Sequence, residues 1–317
     1  MSKNFWFSLP RPFFVLAPLA DVTDAAFRRV IAKCGKPDVL WTEFVSADGL
    51  CSPGREVLLN DLKFTEPERP IVAQIFTSKP EKMEQAARLV AELGFDGLDI
   101  NMGCPDRSVE KQGAGAALIK NPKLARELIR AAKRGAGDLP VSVKTRLGYE
   151  DSQLEEWLPE LLAEKPTVVT IHARTREEMS KVDARWEEVG RAVEIRNELK
   201  SETLIIGNGD LRDLADARER VNASGADGGM LGRAIFGNPF LFAKNRDLPS
   251  SSEKLKILAW HIELFGELLG QIKSFAVMKK HFKAYVSDKD LRLRLMDTNT
   301  AGEAISIIEA WLKEGGA

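Results

Sequence analysis

The chain has 317 residues, 44% hydrophobic and 29% charged; that balance excludes a disordered or fibrous protein and allows one large core. A formal net charge of −1 and a sequence pI near 6.4 exclude a globally basic surface, so any affinity for polyanions has to be local. Three cysteines, Cys34, Cys51 and Cys104, form neither a disulfide framework nor a CxxC pair, and no apolar stretch approaches the roughly 18 residues of a membrane span; a cytoplasmic protein without a signal peptide is expected.

Short apolar runs at 13–16, 39–44, 71–76, 97–100, 141–144, 168–171, 204–206 and 228–231 have the length of buried parallel strands. Between them lie stretches with apolar residues at helical spacing. The first is 24–34, with Thr23 as N-cap and Gly35 as stop; then come 79–93, 122–134, 151–164, 186–199 and 211–223. Eight alternations predict an α/β fold, a (β/α)8 TIM barrel, with a doubly wound sheet as the alternative. Near residue 245 the pattern changes. The stretch 246–253, with Pro249 and three consecutive serines, reads as a linker, and 254–269, 273–286 and 300–313 read as helices without strands between them. The chain therefore divides into a barrel over 1–245 and a small all-α helical domain over 246–317.

A barrel gathers its functional groups at the C-terminal ends of its strands. Ala17-Pro18-Leu19-Ala20-Asp21 follows the first run, and Gln74 sits in the third. Asn101-Met102-Gly103-Cys104-Pro105 ends the fourth, Lys144-Thr145-Arg146 the fifth and His172-Ala173-Arg174-Thr175-Arg176 the sixth. Asn208-Gly209-Asp210 ends the seventh and Gly232-Arg233 the eighth. Singly, each has an ordinary structural explanation: a strand-end hydrogen bonder, a snorkelling lysine, a satisfied core histidine. Their shared location is what points to a site.

Asn208-Gly209-Asp210, ahead of a helix expected to start near Leu211, and Gly232-Arg233 have the character of phosphate loops. No GxxxxGK[ST] loop and no GxGxxG is present, which argues against a P-loop NTPase and a Rossmann domain. Lys144 near the pyrimidine end of a flavin would stabilise the reduced anion, and Gln74 both donates and accepts. Phosphate loops plus this polar edge fit FMN better than a bare sugar phosphate. Cys104, in a loop just past a strand, is mostly protonated at neutral pH and can donate a proton. Cys34 and Cys51 read as small hydrophobes, and no metal is expected.

The helical domain carries Lys273, Lys279, Lys280, Lys283, Lys289, Arg292 and Arg294 against Asp288 and Asp290, a local balance of about +5, with Phe275, Phe282 and Tyr285 interleaved. A solvated helix face and a nucleic-acid contact explain it equally well.

Along nearly its whole length the sequence resembles the tRNA-dihydrouridine synthase family. The resemblance lies in Ala17-Pro18-Leu19-Ala20-Asp21-Val22-Thr23-Asp24 and, most specifically, in Asn101-Met102-Gly103-Cys104-Pro105 with Gly113-Ala114-Gly115-Ala116-Ala117-Leu118. Val143-Lys144-Thr145-Arg146-Leu147-Gly148, the His172 and Asn208 motifs, Gly232-Arg233-Ala234 and Met278-Lys279-Lys280-His281-Phe282 follow in the family's order. The resemblance implies an FMN enzyme that uses NADPH to reduce selected uridines of tRNA to 5,6-dihydrouridine. By that likeness Pro18, Leu19, Ala20, Gln74, Lys144, His172, Asn208, Gly209, Asp210, Gly232 and Arg233 surround FMN. Asn101 contacts the target base, Arg174 lies near the substrate, Lys279 and Lys280 meet tRNA, and Cys104 protonates C5 after hydride reaches C6. The target base has to leave its stack to reach the flavin. Leu19 stands where methionine is common in the family, Ala173 where glycine is common, and Glu177 and Glu178 add negative charge beside the RNA path.

Two other readings fit parts of the sequence. The barrel residues alone allow an FMN reductase of a free pyrimidine, similar to dihydroorotate dehydrogenase, although a small substrate needs no basic helical appendage. An RNA-binding protein that remodels tRNA with little reductase activity accounts for the tail but not for Cys104 and its neighbours. No protein partner is evident, and a monomer is expected.

Overall fold

The computed structural model describes residues 4–243 and 249–315. Eight parallel strands form one sheet: β1 (Phe13–Leu16), β2 (Leu40–Ser46), β3 (Ile71–Phe76), β4 (Gly97–Asn101), β5 (Val141–Arg146), β6 (Val168–His172), β7 (Leu204–Asn208) and β8 (Gly228–Leu231). Neighbours run in the order β1-β8-β7-β6-β5-β4-β3-β2, and a parallel bridge between Val15 and Val39 joins the two ends. The sheet thus curls into the expected barrel rather than a doubly wound layer. All eight predicted strands are present, several extended by one or two residues at the C-terminal end.

Strand alternation sorts the side chains. On β5, β6 and β7 the inward set is Ser142, Lys144 and Arg146; Val168, Thr170 and His172; Leu204, Ile206 and Asn208. Apolar inward residues sit low, where Trp6, Phe13, Val15, Trp41, Val72, Val168, Leu204, Ile206 and Met230 form one buried cluster. Trp6 belongs to a 3-10 turn, Phe5–Ser8, and plugs the lower end of the barrel. Polar inward residues sit high, so the upper end is where chemistry can occur.

The helices outside the barrel are α1 (Ala25–Cys34), α2 (Ala47–Leu50), α3 (Arg55–Leu59), α4 (Pro80–Glu92), α5 (Arg107–Glu110), α6 (Pro122–Ala136), α7 (Leu154–Leu162), α8 (Trp186–Glu198) and α9 (Leu214–Ser224). Asp24, not Thr23, caps α1: its carboxylate accepts the Phe27 N–H, while Thr23 Oγ1 accepts the Leu19 N–H at 2.9 Å. Helix α9 starts at Leu214, capped by Asp213, three residues later than expected. The loop Asn208–Leu211 is therefore not itself a helix N-terminus.

The helical region holds α10 (Ser251–Leu269), α11 (Lys279–Tyr285), α12 (Lys289–Met296) and α13 (Ala301–Lys313). The boundary expected at 245/246 and the first residues of the predicted linker lie outside the described residues; the serines expected in that linker instead start α10, with Ser250 as its cap. The predicted 273–286 helix is a 3-10 turn at Phe275–Met278 followed by α11, and α12 is an additional helix that the spacing of apolar residues does not announce. Helix α10 packs on α1 and α13. Between barrel and helical region, His261 stacks on Phe27 and meets His281 edge-on. Both imidazoles are fully buried, and their nitrogens have no hydrogen-bond partner among the described residues. Burial pushes the His281 pKa down to about 3 and that of His261 well below the ordinary value, so both rings are neutral. No helix among the described residues is long and apolar enough to cross a membrane.

Candidate active site

A cavity of about 340 Å³ opens at the C-terminal ends of the strands. Pro18, Leu19, Ala20, Gln74, Asn101, Cys104, Lys144, His172, Arg174, Asn208, Gly209, Asp210, Gly232 and Arg233 all line it. Lys279 and Lys280 do not.

A buried network fixes the floor. β2 carries a bulge between Trp41 and Phe44, and the Thr42 hydroxyl there accepts the Gln74 N–H at 3.1 Å. Gln74 donates to Asp99 at 2.7 Å and accepts from the Asn101 amide at 3.0 Å. The Asn101 carbonyl oxygen accepts the backbone N–H groups of Gly103 (3.1 Å) and Cys104 (2.9 Å), so Asn101 shapes the cysteine loop. Burial raises the Asp99 carboxyl to about 6, against hydrogen bonds from Ser142 and Gln74.

Cys104 is held from below as well. Its carbonyl accepts the Ala116 N–H at 2.9 Å, and Gly115, at φ +62, passes close beneath; a Cβ there would lie 2.7 Å from that oxygen. Burial pushes the Cys104 thiol up, so it carries its proton at neutral pH. Arg146 donates to the carbonyls of Gly103 (2.8 Å) and Thr175 (2.9 Å), tying the β4 loop to the β6 loop. Sequence reasoning marks Arg146 and Pro105 only as parts of strand-end motifs, and misses Phe44, Ser180 and Met230, which also line the cavity. Ser180 comes from an irregular loop with no sequence signal.

Lys144 projects into the cavity with one acceptor among the described residues, the Asn208 side-chain oxygen, at 3.3 Å. Burial, then the Arg146 charge, lowers it to about 8, and it is a cation at neutral pH. Asn208 in turn donates to the Met230 carbonyl at 2.7 Å. His172 Nε2 lies 3.1 Å from Arg174 Nη1. Burial, followed by the Arg146 and Lys144 charges, keeps this ring neutral, so Nε2 is the acceptor and the proton sits on Nδ1. Asp210, at φ +50, pairs with Arg174 and, at 2.9 Å, with Arg233. Arg174 also donates to the Val182 carbonyl at 2.6 Å. Its guanidinium is thereby committed to protein groups and braces the β6 and β7 loops. Glu178 pairs with Arg185 and accepts the Thr175 N–H, and Glu177 pairs with Arg176; the two acids are spent within their own loop.

The basic run of the helical region is partly spent in the same way. Lys273 is largely buried between Glu43 (2.7 Å) and Asp61 (2.9 Å), and Lys280 pairs with Asp21 at 3.2 Å. Phe282 and Tyr285 are buried and Phe275 packs against Phe265 and Phe282, which removes them as stacking platforms.

The model of one protein family, Dihydrouridine synthase (Dus), matches residues 15–314. The chain belongs to the dihydrouridine synthase family. It is 44% identical to a probable tRNA-dihydrouridine synthase 2 of Bacillus subtilis (strain 168), over 98% of this chain and 97% of that protein. It is 42% identical to a probable tRNA-dihydrouridine synthase of Staphylococcus aureus (strain COL), over 98% and 96%. Among solved structures, morphinone reductase in complex with tetrahydroNAD superposes with a TM-score of 0.53 at 15% identity, covering 77% of this chain and 90% of that one. At that identity the likeness concerns the barrel alone.

Proposed function

We propose that this family member is a cytoplasmic, FMN-dependent tRNA-dihydrouridine synthase that uses NADPH to reduce the C5=C6 bond of specific uridines in tRNA. The observation that carries the reading is one cavity holding both a protonated loop thiol, Cys104, and an under-coordinated cation, Lys144.

The cavity residues fit a flavin mononucleotide. Lys144 has donors left for the electron-rich edge of the ring. Arg233, two-thirds exposed and steered by Asp210, suits a phosphate, and a Cβ at Gly232 would meet nothing nearer than 3.8 Å, so the backbone there is open to approach. Bound there, a flavin would supply the hydride for C6 of uracil, with NADPH as the reductant that recharges it. The chain's own residues do the rest. Pro18, Leu19 and Ala20 line the wall, Gln74 and the Nδ1–H of His172 offer hydrogen bonds, and Asn208, Gly209 and Asp210 close the far side. Hydride addition at C6 builds charge toward C5 and O4. Cys104 gives its proton to C5, and Asn101 holds the cysteine loop against the base. Lys279, on the helical region, lies outside the cavity and serves the RNA body.

The test is nucleoside mass spectrometry, with position mapping, on tRNA from a strain lacking the gene. Dihydrouridine is expected to vanish at one or a few positions and to return with wild type but not with Cys104→Ala. Purified Cys104→Ala is expected to turn over at least about 100-fold more slowly while keeping its yellow colour. Unchanged dihydrouridine in a strain with no redundant enzyme refutes the tRNA reading.

A further inference from the structure

The largely buried ion cluster at Lys273 joins the helical region to the loop that lines the cavity. The chain of contacts starts at Lys273, whose ammonium lies 2.7 Å from Glu43 Oε2 and 2.9 Å from Asp61 Oδ1. Glu43 is 5% exposed and sits in the β2 bulge, beside Phe44 of the cavity wall. Its other oxygen, Oε1, accepts the backbone N–H of Asp21. Asp21 has φ +53, a conformation a non-glycine residue holds only when its surroundings demand it. From the far side Lys280 pairs with the Asp21 carboxylate at 3.2 Å. Asp21 ends the turn Ala17–Asp21, whose Pro18, Leu19 and Ala20 face the cavity, and Thr23 closes that turn through Leu19.

Two basic residues of the helical region therefore act on a cavity loop through carboxylates of the barrel. Without Lys273, the Glu43 carboxylate is a buried anion with no cation against it. It must take up a proton or turn toward water, and either change weakens its hold on Asp21. Lys273 has no room for a phosphate, because both its partners are carboxylates and it is largely covered.

We infer that Lys273, through Glu43, and Lys280, through Asp21, are positioning residues for the flavin-binding loop rather than tRNA contacts, so that docking of the helical region sets the affinity of the barrel for its cofactor. The inference rests on the flavin reading above.

The experiment is FMN titration of the apo-protein by flavin fluorescence, beside tRNA binding across a salt series, for wild type, Lys273→Met, Lys273→Arg and Glu43→Met. Lys273→Met is expected to bind FMN at least about tenfold more weakly. Its tRNA affinity and salt slope stay unchanged, and Lys273→Arg recovers most of the loss. FMN affinity within about twofold of wild type overturns the inference, as does a salt slope lower by about one, the mark of one phosphate no longer neutralised. Should Lys273→Met not fold by far-ultraviolet circular dichroism, Glu43→Met tests the same hold from the other end, since Lys273 keeps Asp61. That variant too is expected to lose at least about tenfold in FMN affinity, and undiminished binding overturns the inference. A wild type that binds no FMN removes the flavin reading itself, a result separate from variants that match a wild type that binds.

Discussion

Cys104 owes its position to the backbone and side chains around its loop. Asn101 gathers the two N–H groups of its loop, and Gly115 lets the neighbouring segment pass beneath its carbonyl. Gly115→Ala is expected to cost about 1–3 kcal/mol of stability, from the positive φ and the close contact. It is also expected to lower kcat for tRNA more than it weakens FMN binding, because the shifted group is the thiol. A thermal melt and a kcat measurement check both, and a variant as active as wild type refutes this account of the loop. The site was largely legible in the sequence because its residues fall at strand ends, where the barrel rule directs attention: Gln74, Lys144, His172 and Asn208 are instances. What could not be read was commitment. Arg174 looks free in the sequence, yet its donors are taken by His172, Asp210 and Val182. Lys273 counts as a surface charge in any composition, yet it lies between two carboxylates from the early part of the chain, Glu43 and Asp61.

Strands were easier to read than helix ends. The run Ile71–Phe76, apolar but for Gln74, is buried on both faces and has the length of a parallel strand. Helix starts depend on which of several adjacent polar residues turns its side chain back, as with Thr23 and Asp24, and sequence does not decide that. The contact between α1, α10 and α11 gives this level its own prediction. His261 and His281 are neutral in the fold, with pKa values depressed below the roughly 6.5 of the unfolded chain. Their contribution is therefore complete above about pH 6.5 and is lost as pH falls below it, for His281 down to about 3. His281 alone costs about 1.4 kcal/mol for each pH unit in that window. His281→Leu is expected to show a smaller drop in Tm between pH 7 and pH 5 than wild type. Parallel Tm curves for the two proteins rule the histidine out as the cause.

The whole molecule is nearly neutral, and many of its cations are paired internally, so affinity for RNA has to come from those left over. Lys283, Lys289 and Arg294 are exposed and have no ion pair among the described residues. Replacing all three with serine is expected to weaken tRNA binding and to flatten the dependence of log affinity on log salt, by about 0.9 in slope for each phosphate that goes unneutralised. The flavin absorbance spectrum stays as it was. A slope equal to that of wild type assigns these three to plain solvation and moves the RNA path elsewhere.

Trp6, seated with Phe13 and Trp41, stops the lower end of the barrel with side chains. Among the described residues, traffic therefore has its doorway at the upper rim. On the proposed function a nicotinamide and a uracil both have to reach the one flavin, each through that doorway. On that reading the two would take turns, the nicotinamide leaving oxidised before the uracil enters to be reduced. Initial rates measured against both reactants should then give parallel double-reciprocal lines, with each spent reactant competing against the other's arrival. Lines that intersect would mean that both are held at once, and that the rim is wider than one visitor.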